Sequence, residues 1–393
     1  MKRVLLTTAA LVAISTIPAH AAESALQLGL GGYISGYAVY TDQETASGDS
    51  RREFDFRKDT EVHLTGEVAL DNGITAGAHL ELLADRFDGN DDATASTANA
   101  STTVEESYLY LSSSWGRINF GEEDGAAYLL QVAAPSADDN VDGLRSYIDT
   151  FDYLALSSAT TGVGVGVGTL DYAHDVTGYA NKFTYITPVF NGFQGAVSYT
   201  PSLSEGDQDA LAAVASDDDA GDFDDAFEFA ARYEGSFEAL DVAIGAGYTM
   251  ASTERDAAGT AAVGTDDLKV WNVGANIGWG AFGLGAAYLS SNNGIDAAGD
   301  TDTWVAGIDY TTGPYKLGLS YLNSEAERNA AAAIDGGFTN EVELERWTAG
   351  AIYEWGPGMT FRGAVSLLDA DTAQAGDTER DATQVTLGTQ LNF

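Results

Sequence analysis

Residues 61–82 restrict the fold more than any other stretch. Val62, Leu64, Gly66, Val68 and Leu70 alternate with Glu61, His63, Thr65, Glu67 and Ala69. After Asp71-Asn72-Gly73, the residues Ile74, Ala76, Ala78, Leu80 and Leu82 resume the apolar face. Successive strand side chains point to opposite faces, and Asn-Gly between two alternating runs is a strong hairpin signal. The segment therefore reads as two antiparallel strands with one apolar and one wet face.

Six further hairpins follow the same plan. Their strand pairs are 104–112 with 117–121, 181–187 with 193–200, 226–233 with 240–249, 268–277 with 282–290, 302–310 with 315–322, and 344–354 with 359–367. One strand precedes them at about 26–41 and one follows at 382–393, giving sixteen. An even count with both ends on one side is the parity of bacterial outer-membrane barrels. Gly162–Gly168 would make a seventeenth and is assigned to a loop. Turns inside hairpins are short. The connections between hairpins read as long: 42–59, 84–103, 122–180, 201–225, 250–266, 291–301, 323–342 and 369–381. The long loops also hold most of the Asp, as in Asp217-Asp218-Asp219 and Asp224-Asp225.

The faces say which way the sheet is turned. Leu240, Val242, Ile244, Ala246 and Tyr248 share one side of a strand, and Asp241, Ala243, Gly245, Gly247 and Thr249 the other. Small and polar residues cannot fill a soluble core, so this set is expected to line a wet lumen while the apolar set meets lipid. A closed sheet leaves no unpaired backbone group in the hydrocarbon. Trp271, Trp279, Tyr288, Trp304, Tyr310, Tyr315, Tyr321, Trp347 and Tyr353 fall near strand ends, where interfacial girdles belong. Ordinary strand preference for aromatics is the alternative reading.

Other features bound the class. Lys2 and Arg3, the apolar run Leu5–Ile17 and Ala19-His20-Ala21 read as a signal peptide over 1–21, leaving a barrel domain over 22–393. No later run is long enough for a spanning helix. Cysteine is absent. The net charge is -42, and removing Lys2 and Arg3 leaves -44, which argues against nucleic-acid binding. Solubility, a saline habitat, divalent-cation binding or a cation-attracting pore would each suit such a charge. No nucleophile elbow, P-loop or dinucleotide fingerprint stands in context, so the chain is read as no enzyme, with a barrel hydrolase as a minor alternative.

Three segments carry a resemblance to a family: Asp71-Asn72-Gly73-Ile74-Thr75-Ala76-Gly77, Phe120-Gly121-Glu122-Glu123-Asp124-Gly125-Ala126, and Tyr185-Ile186-Thr187-Pro188-Val189-Phe190-Asn191-Gly192-Phe193. With the terminal Phe393, the chain resembles the general porins of Gram-negative bacteria, of the purple-bacterial and alphaproteobacterial type. The resemblance implies an all-β fold, a transmembrane 16-stranded antiparallel β-barrel with short periplasmic turns, long external loops and an inward-folded third loop. It further implies an outer-membrane homotrimer through which small hydrophilic solutes and ions diffuse passively. A substrate-selective channel, or a structural or adhesive barrel without an open pore, remain as alternatives.

The family sets acids of the third loop against a basic wall at a constriction. Carried over, the pore constriction falls to Glu122, Glu123, Asp124, Arg57, Lys58 and Arg117. Arg51, Arg52, Arg57 and Lys58 are read as preceding the second strand. Asp138, Asp139, Asp142, Asp149 and Asp152 are further acids of the same loop. Solvated surface charge is the alternative for each. His63 and His79 share the wet face of one hairpin with Glu61, Glu67 and Glu81. They are read as wall residues in water, a transition-metal site being the alternative. The acidic loops could hold Ca2+, though no regular ligand spacing appears. No cofactor is expected.

Overall fold

A computed structural model describes residues 26–44, 51–83, 103–146, 148–151, 172–203, 223–254, 266–294, 300–326, 341–373 and 378–393. The sixteen strands are β1 (Gln27–Gln43), β2 (Phe54–Ala69), β3 (Thr75–Leu83), β4 (Thr103–Ser113), β5 (Gly116–Glu122), β6 (Asn181–Ile186), β7 (Phe193–Ser202), β8 (Phe223–Phe237), β9 (Leu240–Thr253), β10 (Leu268–Trp279), β11 (Phe282–Ser291), β12 (Thr301–Thr312), β13 (Tyr315–Ala326), β14 (Glu341–Gly356), β15 (Met359–Ala373) and β16 (Thr378–Asn392). Each pairs antiparallel with its chain neighbours, and β1 pairs with β16 to close the barrel. Closure satisfies the backbone of every strand and removes both sheet edges. At the seam, Gly32 and Phe393 exchange two backbone hydrogen bonds, of 3.1 and 3.0 Å.

The outer face is an apolar band. Leu28 is 75% exposed, Phe56 74% and Leu387 66%, values that suit lipid and not water. Aromatic rings meet across strands at two levels. Toward the long connections, Tyr288 lies 5.0 Å from Trp271 and 4.5 Å from Trp304, and Tyr321 lies 4.6 Å from Trp347. Toward the short turns, Phe282 meets Tyr310 at 4.8 Å and Tyr315 meets Tyr353 at 5.0 Å. On β10, Trp271 and Trp279 mark both levels, and the eight residue steps from one to the other span about 26 Å along the strand. The girdle arrangement expected from sequence is thus present.

Three expectations need correcting. The second strand begins at Phe54, so Arg57 and Lys58 lie within it and do not precede it. Both flanking strands extend into the last connection, so β15 and β16 are separated by residues 374–377 only and not by a long loop. The inner face is also not uniformly small and polar. Leu268, Val270, Leu289, Val305, Leu322, Leu344 and Leu368 point inward and are buried. They pack against Phe151, Tyr172 and Val176 of the connection between β5 and β6. Gly162–Gly168, Asp152, Asp217-Asp218-Asp219 and the expected signal segment lie outside the described residues.

Candidate pore lining

The described limbs of the connection from β5 to β6 run inside the barrel. They carry two single-turn helices, α1 (Ala126–Leu129) and α2 (Asp139–Asp142). The Ala126 amide donates to Ser198 Oγ on β7 at 2.9 Å. Further along, Asn276 Nδ2 on β10 donates to the Ala133 carbonyl at 2.6 Å. The loop then crosses β12 and β13, where Ser320 donates to Asp142 Oδ2 at 2.6 Å. It reaches β1 and β16, where Thr41 meets Thr150 at 2.5 Å and Gln384 donates to Asp149 at 2.8 Å. The returning limb is held by His174, whose Nε2 lies 2.8 Å from Thr249 Oγ1 and whose Nδ1 lies 2.6 Å from Asn272. Burial pushes the His174 ring down to about 3, so it is a neutral anchor.

Two wall glycines give the loop its seat. A Cβ on Gly274 would collide with the Val132 carbonyl oxygen, and one on Gly307 with that of Pro135. Their smallness serves close backbone approach and not an open lumen.

Wall cations hold the same loop. Arg362 on β15 binds Asp138 at 2.5 Å, and Arg346 on β14 donates to the Val141 carbonyl at 3.2 Å. Lys182 on β6 donates to the carbonyls of Gly178 and Ala180, at 2.7 and 2.8 Å, and to that of Glu123. Burial raises Asp138 while Arg362 opposes the rise. Burial pushes Asp142 up to about 6, against the Ser320 hydrogen bond.

The described loop limbs leave the wall of β2, β3 and β4 facing the lumen. On it stand Asp59, Glu61, His63 and Glu67 of β2, His79 and Glu81 of β3, and Glu106, Tyr108 and Tyr110 of β4. The Tyr33 hydroxyl lies 2.7 Å from Asp59 and 2.5 Å from Glu61 and shares its one proton between them, and Tyr110 donates to Glu67 at 2.7 Å.

The six residues expected at the constriction divide. Arg57 faces inward beside Tyr37, its register partner, with its Nε 3.6 Å from Asp55. Arg117 faces inward, donates to Asn119 at 2.6 Å, and lies over the Tyr110 ring at 4.1 Å. Glu123 is buried and accepts from Asn119 Nδ2 at 2.5 and 2.6 Å, so it sits next to Arg117 and not across from it. Burial pushes its carboxyl up to about 7, against Asn119 and Arg117. Asp124 is buried and raised for the same reason, opposed by Arg145 and Lys182. Strand alternation puts the other two elsewhere. Lys58 shares the outward face with the exposed Phe56, and Glu122 that of Phe120. Sequence reading missed Lys182, Arg346, Arg362 and His174 as anchors. A cation in an otherwise small inner face was the available signal for Arg346 and Arg362.

Comparison with known proteins bears on this geometry. The family model described as "Gram-negative porin" matches residues 7–373. Comparison with curated proteins finds no match. Among solved structures, the barrel is similar to an anion-selective porin from Comamonas acidovorans, with TM-score 0.61 and 16% identity over 94% of this chain and 100% of that one. It is similar to Salmonella typhi OmpF in complex with daunomycin, at 0.59 and 17% over 93% and 98%. A triple mutant of the Rhodopseudomonas blastica porin aligns at 0.53 and 18% over 93% and 100%. Family and fold point to a channel and not to an enzyme. With a family match over nearly its whole length and a closed sixteen-stranded barrel, the chain belongs to the Gram-negative porins and is a multi-pass protein of the outer membrane.

Proposed function

We propose that the barrel is a water-filled channel for passive diffusion of small hydrophilic solutes, with a preference for cations. The observation that carries this reading is the division of inward charge. Arg346, Arg362 and Lys182 are taken up in holding the loop, while Glu61, Glu67, Glu81 and Glu106 stand on the wall of β2, β3 and β4 that lies between those anchoring strands. A mouth and wall of one sign between low-dielectric surfaces raise the local concentration of counter-ions. In this reading the constriction lies between that wall and the inward loop, with Arg57, Arg117, Glu123 and Asp124 at its sides. The test is the reversal potential of the refolded protein in a planar bilayer under a KCl gradient. Potassium preference at low salt supports the reading, and chloride preference sinks it.

The assembly in this reading is a homotrimer. Gly36 and Ala38 of β1 face outward beside Leu28, Leu30 and Phe56, a small-and-apolar surface suited to close packing. Gly32 adds nothing to that argument. Its φ is +147° and a Cβ there would strike the Glu61 carbonyl, so the backbone already requires glycine. Sedimentation in mild detergent showing only single chains would exclude the trimer.

A further inference from the structure

We propose that the inner wall of β2, β3 and β4 binds one divalent transition-metal ion, Zn2+ above all, on His63, His79 and Glu81. The Asn72-Gly73 hairpin sets the register that pairs His63 with Glu81 and Thr65 with His79. Glu81 in turn pairs with Glu106 on β4. A bulge follows at once, because Leu82 pairs with Val104 and leaves Glu105 as the extra residue. Bulges of this kind re-aim a side chain. Here the result is a patch where Glu61, Glu81 and Glu105 bring carboxylate oxygens within 4.8 Å of one another. The same bound holds for the donor atoms of His63, His79 and Glu81.

The spacing is that of ligands around a small ion. His63 Nδ1 lies 3.0 Å from Glu81 Oε2, and His79 Nε2 lies 3.5 Å from the same oxygen. His79 Nε2 is also 3.5 Å from Glu106 Oε2. Zinc bonds of about 2.0–2.2 Å in a tetrahedron put neighbouring donors about 3.3–3.6 Å apart. The side chains of His63, His79, Glu81 and Glu106 are 5, 11, 12 and 13% exposed. Donors thus converge in a mostly enclosed place next to the lumen.

His63 supplies the independent sign of a ligand. It is 4% exposed, and its buried Nδ1 makes no well-aligned hydrogen bond although it lies 3.0 Å from Glu81 Oε2. Its Nε2 lies 3.2 Å from Glu61 Oε2. Glu61 is itself fixed, since its other oxygen accepts from Tyr33 at 2.5 Å. A proton on Nε2 shared with Glu61 leaves the Nδ1 lone pair facing Glu81, acceptor against acceptor. A cation between them removes the conflict. The chain Tyr33, Glu61, His63 is the carboxylate–histidine support that orients metal-bound imidazoles and fixes their tautomer. Two imidazoles with carboxylate oxygens suit Zn2+, Ni2+ or Cu2+ better than Mg2+ or Ca2+, which take all-oxygen sets. A second proton on His63 would answer the same conflict, and metal titration separates the two.

The test is calorimetric titration of the refolded full-length barrel in detergent with Zn2+, repeated in excess Ca2+. One Zn2+ per chain is expected, with Ca2+ unable to compete. The His63→Ala/His79→Ala double variant should lose that binding. Glu61→Gln, which keeps all three donors, should weaken it about tenfold or more. His79→Gln alone serves should the double variant fail to refold, and heat-modifiable gel mobility reports refolding. Wild type that binds Zn2+ no better than the double variant overturns the site. So does equal competition by Ca2+, which would mean carboxylates alone. Whether Zn2+ also lowers conductance rests on the channel reading above. Binding without a change in current leaves the metal site standing and counts against a solute path along this wall.

Discussion

The Tyr37 hydroxyl on β1 donates to Asp138 Oδ2 at 2.8 Å, joining the first strand to a loop residue a hundred positions later. Arg362 holds the other oxygen. A single buried carboxylate therefore pins the inward loop to both sides of the seam where β1 meets β16.

Asp138→Ala removes that pin and leaves Arg362 facing a vacated site. Breaking a buried ion pair costs about 3–5 kcal/mol. The loss falls on the loop and not on the strands, whose ladder does not involve Asp138. The expected outcome is a barrel that refolds normally but shows a noisy current with extra conductance levels. A steady trace identical to wild type would show that Asp138 does not hold the loop.

Gly307→Val tests the seat from the other side. The side chain would strike the Pro135 carbonyl, and overpacking of this kind costs about 1–3 kcal/mol. The loop should move off the wall into the lumen and lower the conductance. Gly356→Val is the control, because a Cβ there meets no atom within 4 Å. Equal conductance in both variants would dismiss the seat.

Much of this was legible in the chain. Period-two alternation and Asn-Gly or Gly-Pro turns carry strand information locally, so all sixteen strands could be read before any pairing was known. The start of β2 was misread because Arg51-Arg52 and Arg57-Lys58 look like a charged loop. Phe54 and Phe56 already continue the outward alternation of Val62 and Leu64, and that signal would have turned Lys58 outward. The alternation Ile118, Phe120, Glu122 likewise placed Glu122 on the outer face. What the sequence could not show is which inner-face glycines face water and which face a backbone. Gly274 and Gly307 touch Val132 and Pro135 across more than a hundred residues, and no local period records that contact.

The inward loop should be held more tightly in acid. Glu123 is shifted up to about 7 by burial, and Asp142 up to about 6. In the unfolded loop both would titrate near their ordinary values of about 4. Between those limits the folded loop binds more protons than the unfolded one, so its stability falls as pH rises through the window and levels off above about 7. Hydrogen exchange of amides 126–143, corrected for intrinsic rate, should be slower near about pH 5 than near about pH 8. Faster exchange at the lower pH would show that the two carboxyls stay charged in the folded loop.

The split among the six charged residues gives the sharpest test of where ions pass. Arg57, Arg117, Glu123 and Asp124 face inward, while Lys58 and Glu122 take the outward face. Lys58→Gln with Glu122→Gln should leave the reversal potential unchanged. Arg57→Gln with Arg117→Gln removes two positive charges from beside the acidic wall and should raise the potassium preference. The effect should be largest at low salt, since the screening length is about 30 Å at 0.01 M and about 3 Å at 1 M. Glu67→Gln, away from the proposed metal ligands, should shift selectivity the other way at the cost of the Tyr110 hydrogen bond. Selectivity that follows the outward pair and ignores the inward one would move the ion path off the wall of β2, β3 and β4 altogether.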